Sequence, residues 1–353
     1  GVCTIGATAG EIDFSPVSGF SGETVCEYQI CDASGTRCDL AELIIHVDLP
    51  QCVKITAADG AASDFMGWRV DVDGDRAIVS MHMDDDNGSG SGSVYIYEHD
   101  GTNWVEMDKL TASDGAASDY FGLGGVSLSG DLALVAAPGD DDNGGASGSV
   151  YIFEYNSGTS SWDEVQKITA SNGGANDYFG GHSPSNTSPW SDIPSQGIDT
   201  DGTTIIVGAY NEDTNGSNAG AAYVFEYNSG TTMWEETQIL TQSDGAGSDF
   251  FGRNVAVDGD RIVVSSPGDD NGGSGRGSVF VFDHNGTSFV ENHRVQSADI
   301  ANSDEFGSAV DLEGDRLVVG ARFYDDNGSA SGSAYIFEYN SGMDNWDQIV
   351  KFT

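Results

Sequence analysis

A Phe-Gly dipeptide, with Met replacing Phe in the first copy, returns at nearly constant spacing through most of this chain. The copies lie at steps of 55, 58, 72 and 55 residues, at Met66-Gly67, Phe121-Gly122, Phe179-Gly180, Phe251-Gly252 and Phe306-Gly307. An aromatic residue keeps the same register at Trp104, Trp162, Trp234, Phe289 and Trp346, and the long step holds an insertion, HSPSNTSPWSDIPSQ. A period of this length is the signature of repeat architectures, so the fold is built from similar units in series.

Each copy is predicted to contain four strands. Residues 251–298 contain the apolar segments FGRNVAV, RIVVSSP, SVFVFDH and FVENHRVQS, separated by a DGD turn, a Gly-rich loop and an NGT turn. The second segment is the most continuously apolar, which is typical of a strand covered on both faces. Four-stranded antiparallel sheets that cannot bury both faces alone are stable when packed around an axis. We therefore predict an all-β fold, a β-propeller with blades at approximately 65–112, 120–170, 178–242, 250–298 and 305–353.

The motifs that follow the second strand carry a family resemblance. Together with the Phe-Gly pairs, AAPGDDDNG at 136–144 and SSPGDDNG at 265–272 resemble the FG-GAP repeat of integrin α-subunit propellers over residues 51–353. The resemblance implies an extracellular module in cell adhesion, and a ring of seven blades, with a closed five-bladed ring as the alternative. The segment QCVKITA at 51–57 matches a fourth strand with no preceding partners, so we expect the chain to be a fragment. The family's D-x-D-x-D-G calcium loop is replaced here by tight turns such as Asp73-Gly74-Asp75, so that calcium site does not transfer.

All five cysteines lie in the first 52 residues. Cys31 and Cys38 flank the turn-like DASGTR, which predicts a disulfide and an oxidising compartment. Cys3, Cys26 and Cys52 leave an odd thiol whose pairing the spacing does not decide. Residues 1–50 resemble the closing strands of a cadherin-like or immunoglobulin-like domain, a small β-sandwich fragment ahead of the propeller.

The charge balance excludes one class of partner. Fifty-seven Asp and Glu face 13 Lys and Arg, a formal net charge of -44, which repels nucleic acid at long range. No apolar stretch is long enough to cross a bilayer, so direct membrane insertion is not expected.

Acidic residues concentrate in the loops that the four-strand path places on one face. Carboxylates from the second-to-third loops and from the crossovers between blades could together supply the oxygens that Ca²⁺ prefers. We predict one weak calcium site per blade; the alternative is that these residues form turn hydrogen bonds and keep the loops soluble. The candidate ligands are Asp59, Asp64, Asp84, Asp86, Asp114, Asp119, Asp140, Asp142, Asp244, Asp249, Asp269, Asp270, Asp299, Asp304, Asp325 and Asp326.

Five N-x-Ser/Thr sequons begin at Asn87, Asn186, Asn215, Asn285 and Asn327. They are candidate N-glycosylation sites, although Asn-Gly is also a favoured turn.

Catalytic signatures are missing from the sequence. The six histidines occupy unrelated positions, and no G-x-S-x-G or H-E-x-x-H motif occurs. We predict a non-catalytic binding or structural module, extracellular or at the cell surface, with no organic cofactor and with proteins or glycans as partners. It would act in adhesion or in a surface coat or filament. The alternatives are a lectin-like propeller, in which the recurring aromatics stack on sugars, and a hydrolase or lyase on a propeller scaffold.

Overall fold

The computed structural model describes residues 54–181 and 195–353, together with the backbone of four strands before residue 54. The chain divides into two compact units, Gly1–Ile55 and Thr56–Thr353. Within the described residues no helix is long and apolar enough to cross a membrane.

The first unit contains two antiparallel strand pairs. The first pair is β1 (Val2–Ile5) with β2 (Ile12–Ser15), and the second is β3 (Gly22–Cys31) with β4 (Cys38–Val47). Cys31 and Cys38 are register partners at the end of the second pair. The side chains of this unit up to residue 53 lie outside the described residues, so the disulfide and the cadherin-like or immunoglobulin-like assignment stay predictions.

The second unit confirms the all-β prediction: within the described residues its strands form five four-stranded antiparallel sheets, the blades of a propeller. In each blade the strands follow one another in sequence order. Blade 1 contains β5 (Val70–Asp73), β6 (Arg76–Met81), β7 (Ser93–His99) and β8 (Trp104–Leu110). Blade 2 contains β9 (Val126–Ser129), β10 (Leu132–Ala137), β11 (Ser149–Asn156) and β12 (Ser161–Ile168).

The remaining blades repeat this plan. Blade 3 contains β13 (Ile198–Thr200), β14 (Thr204–Ala209), β15 (Ala221–Asn228) and β16 (Met233–Leu240). Blade 4 contains β17 (Val255–Asp258), β18 (Arg261–Ser266), β19 (Ser278–His284) and β20 (Phe289–Val295). Blade 5 contains β21 (Phe306–Glu313), β22 (Arg316–Ala321), β23 (Ser333–Asn340) and β24 (Asn345–Phe352). Most of the insertion in blade 3, residues 182–194, lies outside the described residues, and residues 54–57 form no strand.

The core of the propeller lies between blades. Each of four apolar clusters joins strands of two successive blades, and each contains the Phe of a Phe-Gly pair. Phe121, Phe179, Phe251 and Phe306 are fully buried. The recurring aromatics Trp162, Trp234, Phe289 and Trp346 are buried in the same clusters. These four therefore serve packing between blades and are not exposed for stacking on sugars, whereas Trp104 of blade 1 is half-buried.

The two end blades expose faces that are buried elsewhere. Val70 and Val72 on β5 are 64% and 62% exposed, whereas Val126 and Leu128 at the same positions of β9 are buried. Phe352 at the end of β24 is 55% exposed, although Ile168 at the end of β12 is buried. The five described blades do not cover these faces, which argues against a closed five-bladed ring, and a seven-bladed ring stays a prediction.

Candidate functional site

The loops between second and third strands meet the crossovers between blades on one side of the propeller, as the strand path predicts. We call this side the loop face, and the side with the tight turns between first and second strands the turn face. On the loop face the predicted calcium ligands fall into two groups with different contacts.

The first group surrounds a basic side chain from the fourth strand in blades 1, 2, 4 and 5. In blade 1 the Lys109 ammonium lies 2.7 Å from Asp59 Oδ2, 2.7 Å from Asp84 Oδ2 and 2.6 Å from Asp86 Oδ2. In blade 5, Lys351 lies 2.7 Å from both Asp299 and Asp326. We call these arrangements the cation clusters.

Blade 2 holds the most complete cation cluster. Lys167 Nζ lies 2.8 Å from Asp114, 2.8 Å from Asp140 and 2.6 Å from Asp142. The Tyr151 hydroxyl lies 2.7 Å from Asp114 and 2.8 Å from Asp140 and donates its one hydrogen to either carboxylate, so the tyrosine beneath the ammonium also holds this pair. Although burial alone lowers the pKa of Lys167, the three carboxylates raise it above its ordinary value, and the side chain stays charged.

Blades 3 and 4 vary this arrangement. In blade 4 the cation is Arg294, which pairs with Asp244 and lies 3.8 Å from Asp269. In blade 3 the fourth-strand position holds Ile239. There the buried Glu212 accepts hydrogen bonds from neutral groups, including the Asn172 side chain at 3.0 Å.

The second group of predicted ligands forms turns. Asp119 lies between two residues with left-handed backbone, Ser118 and Tyr120, at φ of 74° and 55°. Its Oδ2 accepts the Ala116 N–H at 2.6 Å, and burial raises the pKa of this carboxyl. Equivalent bonds reach one carboxylate in each of the other four crossovers, from Ala61 to Asp64, from Gly174 to Asp177, from Ala246 to Asp249 and from Ala301 to Asp304. Asp270 and Asp325 accept backbone N–H groups within the second-to-third loops, from Gly275 and Ala330.

The cation clusters bear directly on the calcium prediction. In blade 2 the ligand oxygens of Asp114, Asp140 and Asp142 lie within 4.8 Å of one another, a spacing that could hold a metal ion. However, the ammonium of Lys167 already occupies the centre of this set, and a divalent cation there would meet a like charge. The set as it stands does not fit Ca²⁺ unless the lysine moves away, and calcium binding stays a prediction.

Sequence reasoning missed the cations although a signal was present. Lys109, Lys167, Arg294 and Lys351 each lie five residues after the aromatic residue that opens the fourth strand. The chain has only 13 basic residues, and four of them recur in this one register.

The remaining residues singled out in the sequence are the glycosylation sequons and the histidines. Asn87, Asn215, Asn285 and Asn327 are exposed, and Asn186 lies outside the described residues. The four described histidines, His82, His99, His284 and His293, each pack against an aromatic ring of their own surroundings. Within the described residues they do not come together as a catalytic group; His46 and His182 lie outside that part.

Comparisons with known proteins agree with this repeat structure. No curated protein matches the chain. Among solved structures, a Bacteroides fragilis protein provisionally assigned as a 6-phosphogluconolactonase is 11% identical, covering 95% of this chain and 96% of that one with a TM-score of 0.40. A similarity this low supports no inference about activity. The family model for the FG-GAP repeat matches residues 50–97, 104–153, 195–225, 234–282 and 289–337, well over half of the sequence. The chain therefore belongs to the FG-GAP repeat family.

Proposed function

We propose that this protein is a non-catalytic recognition module that works outside the cell, in adhesion or in a surface coat, and binds a basic partner through its loop face. The observation that carries the proposal is the cation clusters. They fix the loops in place and still leave them acidic: in blade 2, three carboxylates surround one ammonium, and in blade 1 the same ratio holds.

Rigid loops on a packed scaffold are typical of recognition surfaces. The carboxylates of the cation clusters and crossovers are held in internal ion pairs and turn bonds and are not poised for acid-base chemistry, which supports binding over turnover. A net charge of -44 steers basic partners towards the protein and repels acidic ones.

The test is binding to an array of synthetic peptides of graded charge. We expect binding to basic peptides that weakens steeply with added salt, because interactions between exposed charges are screened. Asp141 is an exposed residue in the loop of blade 2, and Asp260 is an exposed residue in the tight turn between β17 and β18 of blade 4. Asp141→Lys should weaken binding several-fold, whereas the matched control Asp260→Lys, on the turn face, should change it little.

Equal binding to neutral and acidic peptides, or equal effects of the two variants, would refute the proposal. Saturable binding to a glycan array that Asp141→Lys leaves unchanged would favour the lectin-like alternative.

A further inference from the structure

The boundaries between blades contain an arginine site that is filled at two boundaries and left open at a third. At the boundary of blades 1 and 2, the guanidinium carbon of Arg76 lies 4.4 Å from the ring centre of Tyr155 and 5.4 Å from that of Trp162. Its Nη1 donates to the Gly130 carbonyl at 2.8 Å and to Asp131 at 2.6 Å.

The boundary of blades 4 and 5 repeats this arrangement. The guanidinium carbon of Arg261 lies 4.6 Å from the ring centre of Tyr339 and 5.0 Å from that of Trp346. Its Nη1 donates to Gly314 and Asp315, and its Nε donates to Asp283 at 2.9 Å. A planar cation stacked on aromatic rings and bonded at its edge is the geometry that guanidinium prefers.

At the boundary of blades 2 and 3 the aromatic pair is present but the arginine is not. Tyr227 and Trp234 pack together with ring centres 5.7 Å apart, as Tyr155 and Trp162 do at 5.6 Å. The position of the arginine holds Leu132, which pairs with Glu154 in the same register in which Arg76 pairs with Glu98.

The missing side chain leaves a groove of about 680 Å³ on the turn face, lined by Leu132, Glu154, Gly202, Tyr227 and Trp234 among others. Tyr227 is 47% exposed there, whereas Tyr155 is covered by Arg76 and is less exposed. Glu154 holds the position from which Glu98 and Asp283 pair with the arginines of the other two boundaries. Gly202 holds the position at which the carbonyls of Gly130 and Gly314 accept from those arginines.

We propose that this groove binds the guanidinium group of an arginine side chain from a partner protein. The group would stack on Tyr227, pair with Glu154 and donate to the Gly202 carbonyl, as the resident arginines do at the two filled boundaries. This site lies on the turn face and goes beyond the proposed function, which concerns the loop face.

The probe is N-acetyl-arginine amide, titrated into ¹⁵N-labelled protein while the indole resonance of Trp234 is followed, assigned with Trp234→Phe. We expect saturable shifts with a dissociation constant of about 1 to 10 mM, as a single charged and stacked group can supply. N-acetyl-citrulline amide has the same shape without the charge and should bind at least about fivefold more weakly.

Two variants test the site itself. Tyr227→Ala removes the exposed ring and should weaken binding about fivefold or more, whereas the control Phe65→Ala removes an exposed ring of blade 1 and should not. Leu132→Arg should place a resident guanidinium in the groove, abolish binding of the probe and leave the fold unchanged by circular dichroism.

The proposal is wrong if the probe causes no saturable shift, if citrulline binds as well as arginine, or if Tyr227→Ala binds normally. Should Leu132→Arg fail to fold, Tyr227→Ala with its control still decides. Loss of arginine binding with intact binding to basic peptides through the loop face would refute this site alone.

Discussion

At the residue scale, the ammonium of Lys167 lies between three carboxylates, where a bound metal ion would otherwise balance their charge. Replacing Lys167 with Met should destabilise the protein by about 1 to 3 kcal/mol, because Asp140 is buried and would lose its charge partner. Urea unfolding measures the cost. The matched control is Ile239→Met, at the same strand position of blade 3, where the described residues include no cation, and it should change stability little.

The Lys167→Met variant also tests calcium binding. With the ammonium gone, Asp114, Asp140 and Asp142 form an open set of carboxylates, so millimolar calcium should restore stability to Lys167→Met and leave the wild-type protein unchanged. Calcium stabilising the wild-type protein as strongly as the variant would show that the lysine does not exclude the metal.

The buried carboxyl of Asp199, on β13, should make the free energy of unfolding depend on pH. Burial raises the pKa of this carboxyl to about 7, although it accepts hydrogen bonds from the Val257 N–H at 2.8 Å and from Ser127 at 3.0 Å. The folded pKa lies above the unfolded value, so the folded state binds the proton more tightly. The contribution of this group is therefore most favourable below about pH 4 and is lost as the pH rises towards 7 and above.

We expect Asp199→Asn to reduce the loss of stability between pH 5 and pH 8, measured by urea midpoints at each pH. Because many carboxylates titrate in this protein, the comparison is with Asp260→Asn, an exposed carboxylate in the tight turn of blade 4. A wild-type pH profile retained in Asp199→Asn would rule out this carboxyl as its cause.

At the element scale, the strands were predictable and the loops only partly so. The apolar second strands and the turns around them are local patterns, and β18 (Arg261–Ser266) formed where RIVVSSP predicted it. Asp119 was a candidate calcium ligand with a turn bond as the alternative; it accepts the Ala116 N–H in a turn, and its metal binding stays a prediction. The left-handed residues on either side of it recur at the same place in every crossover, but their conformation could not be read from the residue types alone. The open groove at Leu132 could not be predicted, because it depends on which residue of one blade faces the aromatic pair of the next.

A glycine precedes each third strand, and in blades 1 to 4 it lies against the backbone of the next Phe-Gly pair. A Cβ on Gly148 would lie 2.3 Å from the Phe179 carbonyl oxygen of the next blade, and the residue has φ of +85°. Gly148→Ala should therefore cost about 2 to 4 kcal/mol, the sum of backbone strain and overpacking. Chemical denaturation monitored by tryptophan fluorescence measures it.

Gly332, at the same position of blade 5, is the control. It has φ of +76°, but a Cβ there would meet no atom closer than 3.4 Å. Gly332→Ala should show the backbone strain alone, about 1 to 2 kcal/mol. Equal costs for both variants would mean that the contact with Phe179 does not limit the packing.

At the scale of the whole molecule, each blade buries its apolar faces against its neighbours. The outer faces of blades 1 and 5 have no described blade packed against them. Val263 on β18 is fully buried between blades 4 and 5, and Val318 holds the same position on β22 but is 41% exposed. These two valines differ in their surroundings and not in their place within the blade, so they form a matched pair.

We expect Val263→Asp to cost more than about 4 kcal/mol or to prevent folding, because an unpaired carboxylate would be buried between sheets. Val318→Asp should cost less than about 1 kcal/mol, since its carboxylate would stay in water. Urea unfolding of both variants, with light scattering at the same concentrations, separates stability from association. A large cost at Val318 would mean that the outer face of blade 5 is covered in solution. The molecular mass from light scattering would then show whether a second molecule covers this face. Such a contact is expected because each blade is stabilised by packing against a neighbour.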